Sequence, residues 1–158
     1  MAAADRGPRV FVPPPLLFVA GWLIAWGLDR RLPFAIDGAG ASVTQAILGT
    51  ILVVGGFSLA LWAGVTFRRA RTPVLPVAPA RVLVTHGPFR YTRNPMYAGL
   101  SFAYLGLAAL LNQAWPIVLL PVVLIVLSVA VIEREERYLR ATFGADYEAY
   151  CGRVRRWW

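Results

Sequence analysis

The chain has 158 residues, enough for one domain and short for two. The residues AVILMFWYC make up 58% of it, charged residues only 15%, and its mean hydropathy is +0.59; a soluble domain carries about 25% charged residues. This excludes a disordered chain and points to a polytopic membrane protein rather than a soluble globule. A lone cysteine, Cys151, excludes an internal disulfide framework. All 16 basic residues are arginine and the net charge is +8. They gather at the ends of apolar segments, as on a cytoplasmic membrane face, and no nucleic-acid motif accompanies them, so no nucleic-acid partner is expected.

A spanning helix needs about 20 largely apolar residues. The first candidate runs from Val10 to Leu28, 19 residues without a charge. It holds Pro13-Pro14-Pro15, so regular helix is expected from near Leu16. A signal peptide is the rival reading; no small-x-small cleavage site clearly follows and Asp29-Arg30-Arg31 comes next, so a retained helix is preferred. The second candidate, Gly38 to Phe67, is 30 residues without a charge. The uncharged stretch from Pro95 to Ile132 has 38 residues, which as one helix would be about 57 Å long, nearly twice the bilayer core. Asn112-Gln113 and Pro116 predict a break and two short spans. Between the second and third spans, Thr72 to Pro79 reads as an extended, proline-spaced linker.

Six arginines lie between Arg68 and Arg93 and six between Arg134 and Arg156, while the turn at Asn112 has none. The positive-inside rule places those two segments, and with four spans both termini, in the cytoplasm. The expected fold class is therefore all-α: a single membrane domain of four transmembrane helices, the last two a hairpin, with a cytoplasmic C-terminal helical tail. Residues 10–67 form the first two spans and residues 75–158 the part that carries the polar motifs. The lysine-free, Ala/Arg-rich composition suggests a GC-rich bacterial genome and hence an inner membrane.

Polar residues concentrate in two places. The first is the run from Arg81 to Tyr97. Asn94 is a good N-cap and Pro95 suits the first helical position, so the third span starts here. The N–H groups of Met96, Tyr97 and Ala98 would then face out of the helix end and attract an anion, with Arg90 and Arg93 adding to the field. The plainer reading is a simple cap with arginines on lipid headgroups. The second cluster is Glu133 to Arg140. Glu133 with Arg137 and Glu136 with Arg140 are spaced i,i+4, and such pairs stabilise a helix by a few tenths of a kcal/mol, roughly. Glu135 has no such partner, and a carboxylate at a membrane mouth also suits a hydroxylated or cationic ligand. There is no GxGxxG, P-loop, HExxH or GxSxG motif. One histidine and one cysteine do not make a usual zinc site, so no metal is expected. His86, beside Gly87-Pro88, reads equally as a turn residue or a ligand, and Cys151 as inert.

The stretch Leu83-Val-Thr-His-Gly-Pro-Phe-Arg-Tyr-Thr-Arg-Asn-Pro-Met-Tyr-Ala-Gly99 resembles the signature of the membrane methyltransferases that include isoprenylcysteine carboxyl methyltransferase. The pair Glu135-Glu136 and the tail Phe143 to Trp157 match that family's order of motifs. Asn94-Pro-Met-Tyr-x-Gly99 with Tyr104-Leu-Gly106 and the Glu pair is also similar to phosphatidylethanolamine N-methyltransferases. The resemblance covers about residues 75 to 158. It implies an enzyme that binds S-adenosylmethionine at the cytoplasmic helix ends and methylates a lipid or lipid-linked acceptor. The cofactor contacts it implies are Arg81, Val82, Leu83, Val84, His86, Phe89, Arg93, Asn94, Pro95, Met96, Tyr97, Glu135 and Glu136; no catalytic residue is assigned. Within that set, the apolar residues suit an adenine, the Pro95 helix start and arginines suit a carboxylate, and Glu135 suits a ribose or amino group. Three positions depart from the pattern: Asn94 for histidine, Phe89 for tyrosine, and Val131 where the isoprenylcysteine enzyme has an arginine. The alternatives are a phosphatidylethanolamine-type N-methyltransferase and a non-catalytic four-helix membrane scaffold. The acceptor and the oligomeric state are not legible, and Arg155, Trp157 and Trp158 are expected at the membrane interface as anchors.

Overall fold

The computed structural model describes residues 13–38, 40–72 and 80–157. Its elements are α1 (Pro14–Asp29), α2 (Val43–Arg69), a 3₁₀ turn (Gly87–Arg90), α3 (Pro95–Leu110), α4 (Trp115–Leu127), a π-turn (Ser128–Ile132), α5 (Glu133–Phe143) and α6 (Ala145–Arg153). The described residues contain no strand, only one isolated bridge between Ala35 and Gln113, and are therefore all-α. The linker after Thr72, the residues before Pro13 and the Trp158 anchor lie outside the described residues.

Helix starts follow local chemistry. α1 begins at Pro14, two residues earlier than Leu16. Proline's fixed φ suits a first turn, where the missing N–H has no intrahelical acceptor to lose. α2 begins after Ser42, whose hydroxyl accepts the Gln45 N–H at 3.1 Å. The predicted break is real: α3 ends at Leu110 and α4 starts at Trp115. Asn112 takes a positive φ of 52° there, and asparagine tolerates this better than most residues. Its side chain exchanges hydrogen bonds with the backbone of Asp37 at 2.9 and 2.8 Å and accepts one from Gln45 at 3.0 Å. These bonds fasten the α1–α2 connection to the α3–α4 turn, at the end of the bundle away from the two arginine-rich segments.

α2 and α3 pack antiparallel and closest of all. Gly49 faces Gly106, and Gly56 faces Gly99; a Cβ on Gly99 would stand 2.5 Å from the Gly56 carbonyl, and one on Gly106 2.5 Å from the Gly49 carbonyl. Only glycine permits this approach, and small residues at such spacing let apolar helices touch backbone to backbone. α1 lies on α4 through Gly21, whose absent side chain makes room for Val123. Phe18, Tyr97, Tyr104, Leu127, Val131 and Ile132 form the main core.

The outside of the bundle is apolar. α2, and the continuous helix from Trp115 to Phe143, are long and apolar enough to cross a membrane, and only 17% and 33% of their most apolar windows are buried. α1 and α3 are shorter apolar helices. A core helix of a soluble protein with that composition would be covered; here Ile47, Ile51, Val54, Phe57 and Leu61 of α2 and Val118, Val122 and Ile125 of α4 face outward. A contiguous apolar surface of this kind suits lipid rather than water. α5 is different: six of its first eight residues, Glu133 to Arg140, are charged, so it stands outside any hydrocarbon layer.

Candidate functional site

The two polar clusters meet at one end of the bundle, where the C-terminal segment closes over them. Gly144 makes this possible: its φ of 50° and ψ of −122° end α5 and turn the chain into α6, a conformation that side-chain-bearing residues avoid. After α6, residues 154–157 run back along residues 92–94. The Arg93 N–H donates to the Arg155 carbonyl at 3.0 Å; the Thr92 hydroxyl and the Asn94 side-chain amide both donate to the Arg156 carbonyl at 3.0 Å. Tyr150 donates to the Phe89 carbonyl at 2.8 Å.

This corrects the expected role of Asn94. It occupies the N-cap position of α3, but its side chain makes no capping bond. The returning chain offers it a carbonyl instead, and a buried amide must take the partner within reach. Ala98 is also not a free donor, because its N–H bonds the Asn94 carbonyl at 3.0 Å. Met96 and Tyr97 keep the first-turn donors that no intrahelical carbonyl can satisfy.

The neighbouring glutamates do two different jobs. The π-turn, in which the Glu133 N–H reaches back five residues to the Ser128 carbonyl, sets their register. Adjacent helical residues point about 100° apart. Glu135 accepts the Tyr97 hydroxyl at 2.6 Å. Glu136, 4% exposed, takes a bidentate pair from Arg156 at 3.0 and 2.7 Å. It also lies 3.4 Å from Arg93 and 3.9 Å from Arg140. The expected Glu136–Arg140 pair is thus present but long, and Arg140 binds Glu148 more closely at 2.8 Å. Among the described residues Glu133 and Arg137 form no ion pair. Burial pushes the Glu135 carboxyl up to about 7, while the bond from Tyr97 pulls the other way. Burial likewise raises the Tyr147 and Tyr150 hydroxyls, keeping both neutral.

A largely apolar cavity lies between these elements. Eleven of the thirteen residues expected from the sequence line it: Val82, Leu83, Val84, Phe89, Arg93, Asn94, Pro95, Met96, Tyr97, Glu135 and Glu136. Arg81 and His86 lie outside it. Arg81 borders a separate shallow basin with Asp146 and Arg153, and His86 is exposed at the start of the 3₁₀ turn. Sequence reasoning missed Tyr147 and Tyr150 of α6, Tyr138 and Leu139 of α5, Phe67 of α2 and Pro14 and Pro15 of α1. The Phe67 and Phe89 rings meet at a tilt with centroids 4.7 Å apart; with Pro14 and Pro15, Phe67 makes the first two helices part of the wall. Arg156, also missed, is the tightest partner of Glu136. Only the arginine-rich tail hinted at it. Val131 is fully buried in the core beside Tyr97 and is not in the lining. Trp157 packs against that same core, and the Arg155 side chain is exposed.

Arg93 sits between the two clusters. Its Nη1 contacts Cys151 Sγ and its Nη2 faces Glu136. Its Nε is buried and has no hydrogen-bond partner among the described residues. A cationic donor left unsatisfied beside an apolar cavity is a ready seat for an anion.

The fold and site together define a small helical membrane protein with a composite cavity where its helices meet a charged end. The family model described as phospholipid methyltransferase matches residues 44–146, and the chain belongs to that family. Two curated relatives, each named "Probable protein-S-isoprenylcysteine O-methyltransferase", come from Oryza sativa subsp. indica and subsp. japonica. Each is 31% identical over 109 residues, which is 68% of this chain and 57% of the relative. The chain therefore spans a little over half the length of the curated relatives it matches. No solved structure matches it.

Proposed function

We propose that the protein is an integral membrane methyltransferase that uses S-adenosylmethionine and acts on a lipid or lipid-linked acceptor. The observation that carries this reading is the convergence of eleven motif residues, from segments some 40 positions apart, on one cavity in a chain of this family. The cavity's chemistry suits the cofactor. Arg93, with its uncommitted Nε, and the first-turn N–H groups of Met96 and Tyr97 would hold a carboxylate. Val82, Leu83, Val84, Phe89 and Met96 would enclose an adenine, and Glu135 would accept from a ribose or amino group. When bound, the sulfonium supplies an already activated methyl group. The chain then has to align the acceptor and exclude water, which a largely apolar wall favours.

In the bilayer, α1, α2, α3 and α4 are the four spans, with α5, α6 and the returning segment on one face. Twelve arginines of the described residues belong to that end and only Arg30 and Arg31 to the other, which supports a cytoplasmic cavity face.

Among the described lining residues Arg93 is the only cation. A carboxylate acceptor and the cofactor's carboxylate would compete for it, and the position where the isoprenylcysteine enzyme has arginine is here the buried Val131. This favours an amine-bearing lipid as the acceptor over a prenylcysteine carboxylate.

The direct test is calorimetry of S-adenosylmethionine binding to the purified protein in detergent and in lipid nanodiscs, with wild type and Glu135→Gln compared. Saturable binding, weakened about tenfold or more in the variant, is expected when one charge-assisted contact is lost. A folded wild type that binds nothing in lipid would instead indicate a non-catalytic scaffold.

A further inference from the structure

The Arg156 guanidinium is not part of the cavity lining, yet it bonds Glu136, which is, and the charge balance of the site turns on it. Glu136 is buried and carries one negative charge. Arg156 meets it with two short bonds, at 3.0 and 2.7 Å, in the bidentate geometry that guanidinium and carboxylate form best. Arg93 stands farther off, at 3.4 Å through one nitrogen. Its other terminal nitrogen is turned to the Cys151 sulfur and its Nε has no partner. Of the two cations, the one outside the cavity satisfies the glutamate and the one inside is left under-used.

Resting on the methyltransferase reading, we infer that Arg156 is a positioning residue that neutralises Glu136 so that Arg93 keeps its charge for the carboxylate of the methyl donor. Without Arg156, Glu136 draws in Arg93, the nearest remaining guanidinium with little exposure (14%, against 44% for Arg140). The cavity then loses the only cation among its described lining residues. The inference also separates the two glutamates: Glu136 acts on the ligand only through the arginines.

The experiment compares two ligands on the full-length protein in lipid nanodiscs: S-adenosylmethionine, and 5′-methylthioadenosine, which has the adenosine but no carboxylate. Arg156→Ala is expected to weaken S-adenosylmethionine about tenfold or more, the scale of one charge-assisted hydrogen bond, and to leave 5′-methylthioadenosine within about twofold. Arg156→Lys keeps the charge and should recover much of the loss. The double variant Glu136→Gln/Arg156→Ala removes the charge that captures Arg93, and should bind S-adenosylmethionine better than Arg156→Ala alone. If Arg156→Ala does not fold, Arg156→Gln, which keeps length and polarity but no charge, replaces it: selective loss of S-adenosylmethionine supports the inference, and equal loss of both ligands overturns it. Equal loss of both ligands in Arg156→Ala, or no recovery in the double variant, would show a purely structural role and overturn it. Wild type that binds 5′-methylthioadenosine but not S-adenosylmethionine would overturn both the inference and the reading beneath it.

Discussion

Glu135 and Glu136 are neighbours in the chain and opposites in the fold. One shares a cavity wall with a tyrosine hydroxyl, and the other is enclosed by arginines. The difference has a pH signature. Because the Glu135 carboxyl is raised from 4.5 to about 7, the stability this group contributes is present below pH 4.5 and lost as pH rises through 7. Ligand binding runs the opposite way if the anion is the binding form. Affinity for S-adenosylmethionine should fall as pH drops through about 7 in wild type and stay flat in Glu135→Gln, measured by calorimetry from pH 5.5 to 8.5. A wild-type profile as flat as the variant's would remove Glu135 from the site. That Glu135 matters was legible in the sequence, because it alone of the pair lacked an i+4 arginine. The role of Glu136 was not. Its true partner, Arg156, is 20 residues away and becomes a neighbour only after Gly144 reverses the chain.

At the scale of elements, the α2–α3 contact is where close approach replaces side-chain packing. Gly56 and Gly99 have no room for a methyl group, while Gly55 and Gly64 on the same helix have nothing within 4 Å of a built Cβ. Gly56→Leu and Gly99→Leu should each cost about 3 kcal/mol, at the severe end of overpacking, whereas Gly55→Leu and Gly64→Leu should be tolerated. Thermal unfolding in detergent, followed by loss of a monodisperse peak, distinguishes the two pairs. Helix existence was readable from uncharged length, and the break at Asn112 from Asn-Gln and Pro116. Which glycines touch was not readable. They lie in two uniformly apolar runs, and only the partner helix shows which face is inward. The start of α1 at Pro14 rather than Leu16 was missed for a simpler reason: consecutive prolines look like helix breakers unless they fall in the first turn.

For the whole molecule, the cavity belongs to no single segment. α1 supplies Pro14 and Pro15, α2 Phe67, α3 its first turn, α5 the glutamates and α6 two tyrosines. The sequence resemblance covers about residues 75 to 158, and it carried eleven lining residues but gave no role to the first two helices. Proline and phenylalanine at helix ends bear no motif that local sequence could flag. Arg93, the single cation among the described lining residues, makes a prediction about the acceptor. With radiolabelled S-adenosylmethionine, membranes containing phosphatidylethanolamine should yield a base-stable N-methyl product, and a prenylcysteine acceptor should yield no base-labile ester. The reverse pattern would overturn the amine assignment.

The return of residues 154–157 onto residues 92–94 also dictates when the site comes into being. The bonds from Thr92, Arg93 and Asn94 end on Arg155 and Arg156, 62 to 64 residues later in the chain. During synthesis at roughly 5–20 residues per second, the earlier helices are made and can enter the bilayer seconds before those carbonyls leave the ribosome. A nascent chain therefore has its apolar bundle before it has a finished cavity. Binding of the methyl donor reports a chain that has been translated through Arg156, and a ribosome stalled in α6 leaves an inserted protein without a working site.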